Sequence, residues 1–274
     1  MKTRIITSII TLPLLLLVLI VLPPLFTALL LMAMCAVAAY ELLWTTGYVR
    51  QVRLLIYTMA AAVCTALWSY LGSSHGWGLA GILLFSVALF GEMLLSKAKL
   101  PFSKIVTCFV GGLLIPYLLS SIIRIRMMDL GRVYVLMPFV IAFMSDTCAY
   151  FTGKFLGRHK LAPTISPKKT VEGLFGGVAG AVLGMMIFAL VLMLAFDQRV
   201  SFLFAIFYGI VGSLASVLGD LTFSVIKRQT EIKDYGKIIP GHGGVLDRFD
   251  SMTVVAPLAE ALLIILPIAE KMNG

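Results

Sequence analysis

Residues 174–196 read LFGGVAGAVLGMMIFALVLMLAF, 23 residues with no charged side chain and no proline. A helix needs about 20 consecutive apolar residues to cross the hydrocarbon of a bilayer. In lipid every backbone N–H and C=O has to be paired within the spanning structure, and runs of this length suit helices rather than barrel strands. Similar runs lie on either side: Ile5–Leu22, Leu25–Leu43, Leu54–Leu71, Leu79–Leu95, Ile105–Ile123, Val133–Phe151, Phe202–Ile226 and Met252–Ala269. The 274-residue chain is 60% hydrophobic and 13% charged, with mean hydropathy +1.03. It is predicted to be an all-α, polytopic integral membrane protein of about nine transmembrane helices. Pro23-Pro24 separates the first two runs, and whether residues 5–43 span twice or form a re-entrant hairpin stays open. Both alternatives return the chain to the same side. Lys2 and Arg4 imitate a signal peptide, but the run behind them is too long and no A-x-A site follows it.

The formal net charge of +9 invites a nucleic-acid reading, which the placement of the cations argues against. With the N-terminus inside, all but five of the 22 Lys and Arg residues fall in cytoplasmic segments; the exceptions are Arg124, Arg126, Arg132, Arg199 and Lys271. That asymmetry follows the positive-inside rule and puts the two long polar loops, around residues 152–173 and 227–251, on the cytoplasmic face. Cys35, Cys64, Cys108 and Cys148 all lie within apolar runs without a second Cys or His at ligand spacing, and read as small buried hydrophobes.

The chain reads as one membrane domain, 1–274. Residues 1–132 are mostly scaffold, and 133–274 supply the catalytic helices and loops. Before position 129 the acidic residues are Glu41 and Glu92, each near a cytoplasmic helix end, where snorkelling or capping is the default role. Further on, Gly173, Gly176, Gly177, Gly180 and Gly184 share one helical face, as do Gly209, Gly212, Ser213, Ser216 and Gly219. Such stripes let helices approach closely in lipid. Asp220 extends the second stripe, so it is expected to face the protein interior, where an ionisable side chain is by default functional. Asp146, at the cytoplasmic end of its span, invites the same inference.

Two loops carry the remaining chemistry. In the first, Ser166 is expected to N-cap a helix, with Pro167 at its first position and Lys168 and Lys169 in its first turn, together an anion site. In the second, Asp247 and Asp250 are expected to open the last helix on a common face and to form, with Asp220, a carboxylate cluster that no lysine obviously neutralises. Oxygen ligands of this kind suit Mg²⁺ completed by substrate phosphates. Gly241, Gly243 and Gly244 flank His242 and would let backbone N–H groups approach phosphate oxygens, while His242 is as well suited to structural hydrogen bonding as to proton transfer. No G-x-x-x-x-G-K-[ST] is present, which excludes a P-loop ATPase. Residue chemistry alone thus reaches a membrane enzyme handling a nucleotide or a lipid phosphate.

The 27 residues Ser224–Asp250 closely resemble the signature of the phosphatidate cytidylyltransferase family: S-x-aliphatic-K-R, then K-D, then P-x-H-G-G-x-x-D-R-x-D. The stretch from Asp146 to Gly173, with S-P-K-K-T-x-E-G, is similar to a second block of that family. Cys148 stands where that block carries Gly, and Ser145 where Ala is common. The resemblance implies the reaction CTP + phosphatidate → CDP-diacylglycerol + pyrophosphate, in a bacterial inner membrane with the active site facing the cytoplasm. It implies Asp220 and Asp247 as the principal Mg²⁺ carboxylates, with Asp250 and Asp146 in support. It also implies Lys168, Lys169, Lys227, Arg228, Lys233 and Arg248 as cations holding the triphosphate and the lipid phosphate. Membrane lipids are its expected surroundings; a K⁺ ion beside Mg²⁺ and a homodimer are left open. The rivals are a CTP-dependent polyprenol kinase and a lipid or organophosphate transporter. Against a transporter, the charges gather at one cytoplasmic end and the halves show no repeat symmetry.

Overall fold

Pro23-Pro24 divides the first two apolar helices: Leu22 is extended and Pro24 is the first residue of the next helix, where its missing N–H costs nothing. The computed structural model describes residues 9, 11–72, 75–97, 99–238 and 243–271. Seven of its helices are long and apolar enough to cross a membrane. They are α2 (Pro24–Thr45), α3 (Val52–Leu71), α4 (His75–Leu95), α5 (Phe102–Met127), α6 (Gly131–Phe155), α7 (Val171–Phe196) and α8 (Phe202–Gln229). Two shorter apolar helices, α1 (Thr11–Val21) and α10 (Met252–Ile265), account for the remaining two runs, and a single turn, α9 (Leu246–Phe249), precedes α10. The run from Met252 to Ala269 is not helical throughout, because Pro267 lies just past the last turn and the chain leaves as a strand. Two small antiparallel pairs complete the fold: β1 (Lys160–Ala162) with β2 (Ser166–Thr170), and β3 (Gln198–Val200) with β4 (Ala269–Lys271).

The chain packs as two compact units, Met1–Arg132 with Ile226–Phe249, and Val133–Val225 with Asp250–Gly274. In the first, α2 lies on α3, and α3 lies on α5 where α5 widens into a π turn over Val110–Leu114. Thr65 donates to the Gly112 carbonyl across that contact at 3.2 Å. Arg124 donates to Ser69 at 3.0 Å, and Arg126 to the Leu22 carbonyl at 3.0 Å, so two arginines tie the end of α5 to its neighbours. Most of α4 stays uncovered, with Leu84 73% and Leu95 79% exposed, as suits a helix facing acyl chains. Cys64 is also exposed, unlike the buried Cys35 and Cys108, so it is not the buried hydrophobe expected from its apolar run.

In the second unit the glycine face of α7 lies against α6. A Cβ at Gly177 would sit 3.0 Å from the Ser145 carbonyl oxygen and 3.2 Å from the Ala149 Cβ. The second stripe packs as well, with Gly209 against Val182, Gly212 against Ile141 and Gly219 against Ser251. Ser145 and Ser213, both fully buried, share a hydrogen bond of 2.8 Å between α6 and α8. Gly177→Leu is therefore expected to part α6 from α7 and cost about 1–3 kcal/mol, as overpacking does. The readout is the thermal midpoint of detergent-purified protein; an unchanged midpoint would show that these helices separate freely.

Candidate active site

The Ser166–Thr170 segment is extended, contrary to the expectation of a helix capped by Ser166. It pairs with Lys160–Ala162, and α7 begins only at Val171. The cap is Thr170, whose hydroxyl accepts the Gly173 amide at 3.1 Å, and the acidic residue that suits the helix dipole is Glu172 in the first turn. Glu172 also receives the His159 amide at 3.2 Å and lies 2.6 Å from His159 Nδ1, which pins the hairpin to the helix start. Pairing and this cap satisfy the backbone better than a helix would with Lys168 and Lys169 opposing its dipole. No anion site of the expected form exists at Ser166.

The strand has a different consequence. Side chains alternate across an extended segment, so Lys168 is exposed while Lys169 turns inward. Lys169 Nζ lies 2.5 Å from Asp220 Oδ2, with the two side chains 23% and 31% exposed. Ser224, one turn further along α8, donates to Asp220 Oδ1 at 3.2 Å. Asp146 on α6 lies within electrostatic reach of both Asp220 and Lys169. The buried hydroxyl of Ser216 faces Asp146 from α8. Cys148 on α6 packs against α7 because Gly180 has no side chain to oppose its sulfur. Asp146, Asp220, Lys169 and the buried Ser216 hydroxyl thus gather within the second unit.

Asp247 belongs to the first unit and Asp250 to the second. Asp247 is on the single turn Leu246–Phe249, and Asp250 follows in the turn ahead of Met252. The two do not open the last helix together, as their spacing suggested, because the chain breaks between them. Asp250 Oδ1 instead accepts its neighbour's amide, that of Ser251, at 2.7 Å. Asp247 is nearly enclosed, its side chain 5% exposed. Its Oδ1 accepts Lys227 Nζ at 2.9 Å, and its Oδ2 accepts the amides of Tyr235 at 2.7 Å and Gly244 at 3.0 Å. Lys227 also lies 5.5 Å from the centre of the Tyr235 ring.

Asp220 and Asp247 therefore each carry a lysine, contrary to the expectation of an unneutralised cluster. The Gly244 amide points at Asp247 and is not free for a phosphate, whereas Gly243 takes φ +93°, a conformation that other residues rarely adopt. Gly241 and His242 lie outside the described residues. Arg228, Lys233 and Arg248 are exposed.

Glu41, read from the sequence only as a snorkelling or capping acid, is placed differently. Glu41 is fully buried and accepts the amides of Val245 at 3.0 Å and Leu246 at 2.9 Å, one on each carboxylate oxygen. The signal available was weak, a lone acid at the end of an apolar run.

No three His, Cys, Asp or Glu side chains converge as a ready-made metal cage among the described residues. The donor chemistry nonetheless fits a hard divalent cation. Mg²⁺ takes one or two carboxylates and completes its shell with water and substrate phosphate, and Asp146 with Asp220 beside the buried Ser216 hydroxyl is such a set.

A family model described as "Cytidylyltransferase family" matches residues 2–266. Over 273 residues the chain is 36% identical to phosphatidate cytidylyltransferase of Bacillus subtilis, covering 96% of this chain and 97% of that protein. It is 37% identical over 186 residues to the protein of that name from Staphylococcus epidermidis RP62A, covering 68% and 69%. To the one from Staphylococcus saprophyticus it is 44% identical over 134 residues, covering 49% and 50%.

Proposed function

The chain belongs to the cytidylyltransferase family, and from that premise we propose that it transfers CMP from CTP to phosphatidate, giving CDP-diacylglycerol and pyrophosphate. The observation that carries this reading is the similarity to the Bacillus subtilis phosphatidate cytidylyltransferase along nearly the whole chain. The paired charges support it: each principal carboxylate is held by a lysine, Asp220 by Lys169 and Asp247 by Lys227.

In the reaction a phosphatidate phosphate oxygen forms a bond to the α-phosphorus of CTP. The bond from that phosphorus to the oxygen bridging to the β-phosphorus breaks, and pyrophosphate leaves with the electron pair. Such a transfer is catalysed mostly by positioning and charge stabilisation. Lys169 and Lys227 would turn from their carboxylates to the phosphates, while Lys168, Arg228, Lys233 and Arg248 hold the triphosphate and the lipid headgroup. Mg²⁺, when bound, neutralises the triphosphate and the departing pyrophosphate. Asp146 and Asp220 would hold it, with Asp250 in support. Asp247 would also serve as a metal carboxylate through Oδ1, which has a lone pair beyond the Lys227 bond, since an ionised carboxylate offers about four acceptor sites.

The protein is a multi-pass membrane protein, with seven helices suited to spanning among the described residues. The cation asymmetry supports a cytoplasmic active site in a bacterial inner membrane. Two span-length helices, α7 and α8, lie between the two polar loops, which supports a common side for both.

The test is purified protein in detergent with phosphatidate, Mg²⁺ and CTP labelled at either the α- or the γ-phosphorus. Label from the α position is expected in the lipid fraction, and label from the γ position in pyrophosphate. Transfer of γ label to lipid would establish a kinase instead, and lipid without either label would overturn the enzyme reading.

A further inference from the structure

Three successive amides, those of Gly244, Val245 and Leu246, are all taken by carboxylates: the first by Asp247 and the next two by Glu41. Glu41 reaches them from far away in the chain, 204 residues before Val245. It sits where α2 widens into a π turn, Glu41–Thr45, and Thr45 donates its hydroxyl to the Glu41 carbonyl inside that turn. Single π turns within α-helices are a recurrent device at functional sites. The contact is close on both sides of the carboxylate. A Cβ at Gly236 or at Gly244 would overlap the Glu41 carboxylate, so glycine at both positions lets the backbone lie flat on it. Tyr235, fully buried next to Gly236, gives its own amide to Asp247.

We propose that Glu41 is a positioning residue for the transfer reaction: by clamping the amides of Val245 and Leu246 it holds the Asp247 carboxylate toward Lys227. The backbone of Asp247 belongs to the short turn Leu246–Phe249, and a single turn is not stable by itself. Its direction is set by what grips the preceding residues, and the grip is a buried anion accepting two donors. A carboxylate is suited to this because it is acceptor-only, whereas a carboxamide would turn its NH₂ group against one of the two amides. This proposal rests on the cytidylyltransferase reading for its effect on turnover, but not for its effect on the backbone.

The experiment uses full-length protein in detergent and the variants Glu41→Gln and Glu41→Ala, read two ways. Hydrogen exchange is followed over residues 243–249, and kcat and KM for CTP are measured with phosphatidate and Mg²⁺. Glu41→Gln is expected to speed exchange in that segment at least ~10-fold while helices α6 and α7 keep their protection. It is also expected to lower kcat by ~10- to 100-fold with KM for CTP changed less than ~3-fold, and Glu41→Ala should exceed it on both. Unchanged exchange over 243–249 overturns the clamp. Faster exchange there with normal kcat overturns the positioning role, as does a loss of activity that merely follows exchange accelerated throughout the protein. If the unsubstituted protein does not make CDP-diacylglycerol, it is the functional reading that fails, and the exchange result still decides the clamp.

Discussion

Asp247→Asn is expected to lower turnover by ~10²-fold or more, the scale on which removing one charge-stabilising group from a reacting centre acts. The same substitution should also destabilise the protein. Asp247 is 5% exposed and its partner Lys227 15% exposed, and two backbone amides end on Oδ2. Removing the charge leaves a largely buried ammonium without its counter-ion, a loss of about 3–5 kcal/mol where buried pairs are broken from one side. A carboxamide that keeps an oxygen toward the amides of Tyr235 and Gly244 must present its NH₂ group to Lys227, donor against donor. Turnover per folded molecule and thermal midpoint are therefore expected to fall together. Near-normal turnover would remove Asp247 from the catalytic centre. A large loss of turnover at an unchanged midpoint would show that Lys227 finds another anion.

Asp220→Asn is expected to separate the two effects. Its turnover should also fall by ~10²-fold or more, but its midpoint should move little. Asp220 and Lys169 are each about a quarter to a third exposed, and ion pairs that water still reaches are worth roughly 0–1 kcal/mol. Ser224 can go on donating to the carboxamide oxygen, so the local hydrogen bond survives. A Mg²⁺ titration adds a second reading, since loss of one of the two carboxylates beside Ser216 should raise the Mg²⁺ needed for half-maximal rate. Retention of near-normal turnover by both Asp220→Asn and Asp247→Asn would refute the metal assignment as a whole.

The helices of the fold were legible because each obeys a local constraint. A segment that crosses hydrocarbon excludes charge for about 20 residues, and this leaves a mark in the sequence that needs no tertiary information. The glycine stripe from Gly173 to Gly184 was legible for a similar reason, since positions on one helical face follow from helix periodicity alone. Gly177 lies against Ser145 and Ala149 as that stripe suggested. The site was legible only in part. Ser166-Pro167-Lys168-Lys169 fits a helix cap as well as it fits a strand, and what decides is pairing with Lys160–Ala162 and the competing cap at Thr170.

The sequence by itself determined a helical membrane protein, its family, and the acidic and basic residues that chemistry would use, because hydropathy and motif spacing are properties of neighbours in the chain. Only the tertiary structure decided how those charges are matched. Lys169 meets Asp220 from a strand, Lys227 meets Asp247 from the end of a helix, and Glu41 grips amides 204 and 205 residues away. Which charge meets which depends on how distant segments pack, and no local pattern along the chain encodes that.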